Sequence, residues 1–413
     1  MDQMEEKEIK TGYWSGLLSG LLLAILLFSV FFIGKQVIGI FENKKIKQEA
    51  TATDAELMND YTAAKIEVIE DTIAQYYLEE IDRSELENGL YSGLVAALED
   101  PYSEYYSVEA LQELQMKTEG IYYGIGAYIS KAVTDEFCTI SGVIENTPAE
   151  EADLRAGDII YKVDGVLTQG MNTTEVVSMI KGEEGTQVVL TLVREGESDY
   201  LEISVERRKI ESPTVSTEML EDGIGYIEIT EFDDVTEDQF AEALAECKGN
   251  GMKGLIIDLR SNPGGNLSTV CEICRMVLPK GMIVYTEDKY GKKDEYTCDG
   301  TRQLQVPTVV LVNGYSASAS EIMAGAMKDH GVATIIGTTT FGKGIVQRVI
   351  SLSDGSAIKL TVSKYYTPNG NDIHEKGIEP DIEVEFDADA YYDEGIDNQL
   401  QEAVNYLNEN SLK

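Results

Sequence analysis

Between Leu311 and Gln347 the chain reads LVNGYSASASEIMAGAMKDHGVATIIGTTTFGKGIVQ, and few architectures accommodate that succession. A β-branched run, Val306 to Val312 broken by Pro307, stops at Asn313-Gly314. Five small residues follow, Ser316-Ala317-Ser318-Ala319-Ser320, and then a helix-like run from Glu321 to Lys328. Strand, tight turn and helix in that order lift one hydroxyl to the mouth of an α/β sheet, beside the unpaired amides of a helix start. Such amides can hold the oxyanion formed when a hydroxyl attacks a carbonyl.

A nucleophile needs a base. The chain has two histidines, His330 and His374, and no Gly-x-Ser-x-Gly elbow, so a Ser-His-Asp triad has little to rest on. Downstream lies Phe341-Gly342-Lys343-Gly344-Ile345-Val346-Gln347. Lys343 and Gln347 are four apart, which in a strand of period two puts them on one face. A neutral amine can take a serine proton if its pKa falls from about 10.4 towards 7, at a cost of about 4–5 kcal/mol. Burial in a low-dielectric pocket supplies that shift, and Gln347 would orient the amine without adding charge. Plainer readings exist: Ser318-x-x-Glu321 fits a helix capping box, and a lysine after glycine is commonly a solvated loop charge. Capping and catalysis are compatible. Ser316 and Ser320 are rival nucleophiles on composition alone.

With these two segments the chain resembles the C-terminal processing peptidases, the tail-specific proteases of the serine–lysine group. The Ser-Ala-Ser-Ala-Ser-Glu-Ile and Phe-Gly-Lys-Gly-x-Val-Gln segments both match the family's motifs, with matching separation, and the likeness extends over roughly residues 60 to 385. The resemblance implies Ser318 as nucleophile, Lys343 as general base and Gln347 as the residue that positions it. It also implies an extracytoplasmic enzyme acting on protein substrates with exposed C-terminal tails, without cofactor. The expected fold is α/β plus PDZ: a transmembrane helix, a helical segment, a PDZ domain and an α/β serine protease core of the crotonase/ClpP-like kind. A non-catalytic binder on the same fold, or a PDZ scaffold at the membrane, is the alternative.

The formal charge is −41, from 74 acidic against 33 basic residues, which disfavours nucleic acid and anionic headgroups as partners. Five cysteines are scattered through expected core segments. Cys271-x-x-Cys274 has no second pair or nearby histidine to complete a zinc site, so two small apolar residues on one helix is the better reading and no metal is expected.

Thr11 to Gly34 carries no charge, and its 24 residues would span a bilayer core of about 30 Å. Phe31-Phe32-Ile33-Gly34 offers no small-x-small cleavage site, so the run reads as an uncleaved anchor between a tail at 1–10 and a tether at 35–60. Lys35, Lys44, Lys45 and Lys47 follow it while only Lys7 and Lys10 precede it. Flanking charge alone would therefore keep the large domain inside, against the resemblance, although long domains translocate regardless of such charge.

Residues 61–117 show helical spacing, Ile66, Ile69, Ile73, Tyr76 and Tyr77, then Leu90, Leu94 and Leu98. Gly93 to Tyr106 resembles the family's Leu-x-Asp-Pro-Tyr-Ser-x-Tyr segment. In family members this region can pair two subunits, so a homodimer stands beside a helix pair packed within one chain. Residues 118–208 resemble a PDZ domain, with short strands at Cys138–Val143, Ile159–Val163, Val188–Val193 and Leu201–Val205 and a helix at Thr173–Ile180. Tyr123-Gly124-Ile125-Gly126 matches the loop whose amides receive a peptide's terminal carboxylate, the peptide adding as an extra strand.

Residues 209–387 form the expected peptidase core, with buried strands at Ile224–Ile229 and Gly254–Leu259 and a helix at Glu237–Cys247 between them. Asp258 to Asn266 resembles the family's Asp-Leu-Arg-x-Asn-Pro-Gly-Gly segment, which places Gly264 or Gly265 with the Ala319 amide in an oxyanion hole. A hairpin is expected over Leu352–Tyr366, His374 reads as structural, and residues 388–413 close the chain with a helix.

Overall fold

The computed structural model describes residues 57–410. The uncharged run at 11–34, read above as a membrane anchor, lies outside them, and among the described residues no helix is long and apolar enough to cross a membrane. The described residues divide into two units, on either side of the boundary between Glu87 and Asn88. In the first, the helix Asp60–Tyr76 starts where Asn59 Oδ1 accepts the Thr62 N–H at 3.0 Å. Asn is favoured at that position because it satisfies one of the orphan donors of a helix start.

The second unit is built round a six-stranded sheet in the order Val215–Leu220, Ile224–Ile229, Gly254–Asp258, Thr308–Val312, Thr334–Gly337, Ile382–Glu383. The first pair is antiparallel and the others parallel. Both central strands are buried along their whole length, which explains the apolar runs Leu255–Ile257 and Val309–Val312 within them. The two-residue period sorts their side chains. Ile227, Leu255, Ile257, Val310 and Val312 face a core shared with the helices Thr236–Gly249, Leu267–Val277 and Ala319–Asp329. Ile224, Ile256, Val309 and Leu311 face Ala403 and Leu407 of the helix Asn398–Asn410. All five cysteines are buried and free, Cys271 and Cys274 on one helix as read from the sequence.

A second sheet joins Glu104–Tyr106, Ala357–Tyr366, Gly281–Asp288 and Lys293–Cys298, with Ile345–Ser351 on the other edge of Ala357–Tyr366. The expected hairpin therefore turns where anticipated, at residues 352–356, but its first strand begins earlier, at Ile345. The PDZ region is a six-stranded antiparallel sheet, Ala127–Ser130, Thr139–Val143, Ile159–Val163, Gln187–Val193, Leu201–Glu206, with the short Val166–Leu167 paired to Ile159–Val163, packed on the helix Thr173–Ile180. Asn172 and Glu175 form a complete capping box on that helix, at 3.0 and 2.7 Å. Ile121–Gly124 pairs antiparallel with Arg208–Glu211, so the chain enters and leaves the PDZ fold side by side.

The helical region differs from its expected run. After Arg83–Ala96 the chain turns at 99–103 and makes the short strand Glu104–Tyr106 before the helix Val108–Glu119. Leu90, Leu94 and Leu98 are exposed by 46%, 55% and 59%, so their regular spacing marks an open apolar row rather than a core stripe.

Candidate active site

The site lies past the carboxyl ends of the two central strands, where open α/β sheets place their ligands. Beyond Thr308–Val312 the small residues let the chain fold tightly. Ser316 Oγ accepts the Asn313 N–H at 2.9 Å and donates to Leu259 O at 2.7 Å, while Ser320 Oγ donates to Asn262 O at 2.9 Å. Both hydroxyls are fully buried and committed to backbone carbonyls. Ser318 between them is half-buried and adopts φ 54°, ψ −110°. A non-glycine residue there stores roughly 1–3 kcal/mol of strain, which the surrounding bonds sustain.

Gly264 lies against this elbow. A Cβ on Gly264 would fall 2.8 Å from Ser318 Cβ and 2.9 Å from Ala319 N, at φ +105°, so only glycine fits. Its N–H is engaged, donating to Asn262 Oδ1 at 2.8 Å, and the buried Asn262 donates in turn to Ile229 O at 2.8 Å. Gly265 bridges Phe232: Phe232 N–H donates to Gly264 O at 2.9 Å and Asn266 N–H to Phe232 O at 2.7 Å. Among the described residues the N–H groups of Gly265 and Ala319 have no acceptor.

Glu321, fully buried, ties the elbow to the loop that carries Lys343. Its Oε2 accepts the N–H groups of Ser318 and Lys343, each at 2.8 Å. Its Oε1 accepts Thr340 Oγ1 at 2.6 Å and the Gly342 N–H at 2.7 Å. Four donors saturate one carboxylate, which makes its burial tolerable. The Tyr365 hydroxyl adds a second tie, sharing its proton between Ser318 O at 3.0 Å and Lys343 O at 2.5 Å.

The Lys343 side chain is half-buried, and that burial, followed by the nearby Lys359 ammonium, holds its pKa below the usual lysine value against the opposing pull of Asp100 and Glu321. Its Nζ sits 4.4 Å from the centre of the Tyr102 ring, and among the described residues no hydrogen bond joins it to Ser318. Lys343 itself precedes the strand Ile345–Ser351, whose pairing slips between Val346 and Gln347, so the shared-face argument from a regular strand does not hold. Gln347 instead donates to Thr361 Oγ1 at 3.2 Å. His330 Nε2 bonds Met282 O at 2.7 Å, and the backbone of His374 packs on Gly344; neither ring joins the elbow's hydrogen bonds. In the PDZ loop, Tyr123 and Gly124 end a strand, Gly126 turns at φ +86° over Thr147, and the Ile125 and Gly126 N–H groups have no acceptor among the described residues. No group of potential metal ligands occurs among the described residues.

Family models match in three places: Peptidase family S41 at residues 223–384, a PDZ domain at 139–194, and the N-terminal domain of the activating protease CtpB at 27–110. The carboxy-terminal processing protease CtpA of Bacillus subtilis is 37% identical over 329 residues, covering 77% of this chain and 70% of that one. The chain belongs to the S41 peptidase family. The Bacillus subtilis protease CtpB is 36% identical across 81% of this S41 chain and 70% of its own. A solved S41 protease structure from Bacteroides fragilis, 18% identical with a TM-score of 0.52, covers 86% of this chain and 98% of its own and shares the fold. This S41 member is therefore a serine peptidase of the carboxy-terminal processing group, with a PDZ domain.

Two features of the peptidase's site are not apparent from its sequence motifs. Glu321 was legible as a cap, but its bonds to the Thr340–Lys343 loop span 19 to 22 residues and need the fold to show them. The Asp100-Pro101-Tyr102-Ser103 turn lies within the family-like stretch Gly93 to Tyr106, and nothing in its composition says that its ring meets Lys343.

Proposed function

We propose that this chain is a membrane-anchored endopeptidase that trims exported proteins near their C-termini, its catalytic domain outside the cytoplasm. Ser318 Oγ attacks the scissile carbonyl while neutral Lys343 takes its proton. The N–H groups of Gly265 and Ala319 hold the oxyanion; Gly264, whose N–H is engaged, shapes the wall. The tetrahedral intermediate collapses with the proton passing to the leaving amine. Water, deprotonated by Lys343, then releases the acyl group and restores the serine. Gln347 acts at one remove, steadying Thr361 beside the base. The loop Tyr123–Gly126 receives the terminal carboxylate of a tail laid along the open edge of Ala127–Ser130. The exposed row Leu90, Leu94 and Leu98 supports a homodimer contact, and the uncharged run 11–34 supports the anchor.

The observation that carries the reading is the elbow. Of three neighbouring serines, Ser318 alone is not fully buried with its hydroxyl donating to a backbone carbonyl, and its amide shares the Glu321 carboxylate with the amide of Lys343. The test is cleavage of casein and of an unstructured tail peptide by the full chain in detergent, beside the Ser318→Ala and Lys343→Arg variants. Loss in both is expected, since a guanidinium does not deprotonate. Cleavage by Ser318→Ala at the parental rate removes the nucleophile, and activity in Lys343→Arg removes the base.

A further inference from the structure

The turn at Asp100–Ser103 has no part in the chemistry above, yet it reaches the amine. Asp100 Oδ1 accepts the Tyr102 N–H at 3.0 Å and Asp100 Oδ2 accepts Ser103 Oγ at 2.6 Å, which closes the turn on itself. Ser103 Oγ accepts the Thr361 N–H at 3.2 Å, and the following strand pairs Glu104, Tyr105 and Tyr106 with Lys359, Ile358 and Ala357. The turn is thus riveted to the strand that also pairs with Ile345–Ser351, which begins two residues after Lys343, and Thr361 Oγ1 accepts from Gln347 as well. A ring so mounted has little freedom to drift. It presents its face to Lys343 Nζ at 4.4 Å from the centroid.

We propose that the Asp100–Ser103 turn is a positioning element for the base: the Tyr102 ring holds the Lys343 ammonium in a resting place, and loss of the proton frees the amine to swing to Ser318. The ring's negative face attracts a cation and has no such hold on a neutral amine. Protonation state and position are therefore coupled, so that the amine leaves the ring in the form that can act as a base. The other groups acting on Lys343 are the Asp100 and Glu321 carboxylates, which favour the ammonium, and the Lys359 ammonium, which disfavours it. Tyr365, bonded to the Lys343 carbonyl, is kept protonated by burial and does not titrate with it. This inference rests on Lys343 being the base.

The experiment compares Tyr102→Leu and Tyr102→Phe in the full chain by the acid limb of kcat/KM against pH, which reports the free enzyme. Removing the ring destabilises the ammonium, so Tyr102→Leu is expected to move that limb to lower pH by about 0.4–1.5 units. Tyr102→Phe keeps the parental midpoint. An equal shift in both variants overturns the proposal, as does an unmoved limb in Tyr102→Leu accompanied by an unmoved Lys343 resonance in the second readout. A second readout needs no catalysis: the Lys343 Cε resonance of 13C-lysine-labelled Ser318→Ala protein, assigned by its loss in Lys343→Arg, is titrated with and without Tyr102→Leu. A matching downward shift upholds the ring's role and no shift overturns it. If the resonance moves while the kinetic limb does not, the ring's hold stands and Lys343 loses the base assignment.

Discussion

Glu321 shows how one residue serves two loops. Glu321→Ala would leave four buried or half-buried donors without their acceptor, at about 1–3 kcal/mol each where water cannot reach. Thermal unfolding should show a loss of at least about 3 kcal/mol, with cleavage abolished. Glu321→Gln keeps one oxygen, enough for the Ser318 and Lys343 amides, and is expected to fall between the parent and the alanine variant. Asp233 gives a pH test of the same kind. Burial, with Glu231 and Asp234 adding repulsion against the pull of Lys117, pushes its carboxyl up to about 6. The folded protein thus holds a proton that the unfolded chain releases near pH 4, so stability falls as pH rises between those values and stays lowered above them. Asp233→Asn removes that decline. Urea unfolding at pH 4 and pH 7 should show the variant gaining about 1–2 kcal/mol on the parent across the interval, a figure reduced for solvent screening.

At the scale of elements, the turn between strand and helix is what the fold spends its strain on. Gly264→Ala would drive a methyl within 2.7 Å of Ala317 O at a φ of +105°. Catalysis should vanish and the melting temperature fall, as read by scanning calorimetry, whereas Gly251→Ala, with open space at its φ of +76°, tests backbone strain alone. Elements were legible where periodicity and turn chemistry agree. The PDZ helix Thr173–Ile180 was read to the residue, and Asn172 and Glu175 cap it; the central strands were read to within two residues because both faces demand apolar side chains. The choice between Gly264 and Gly265 was not legible, since it depends on where Asn262 Oδ1 points. Gln347 misled because a two-residue period says nothing of a slipped register. The leucines of the Arg83–Ala96 helix left a packed helix pair and a subunit contact both open, because spacing reports a face, not what covers it.

Over the whole molecule, the second unit is closed by its own C-terminus. Arg260 binds Asp258 Oδ2 at 2.6 Å and Asp397 Oδ2 at 2.7 Å, and so clasps the start of the helix Asn398–Asn410 to the end of a central strand. Leu407 and Ala403 of that helix cover the sheet's second face. Arg260→Ala strands two carboxylates of which Asp258 is almost fully buried, a change that costs about 3–5 kcal/mol in such settings. Limited proteolysis should then clip the C-terminal helix first. The shared carboxylate of Glu321 has a consequence at this scale too. Ser318 and Lys343, the proposed nucleophile and base, have their backbone amides bolted to a single anchor, so a regulator that parted those two loops would wreck the interior. Whatever turns it off has to work where the backbone is not held, by keeping the Lys343 side chain on its resting ring or by barring the substrate's way in.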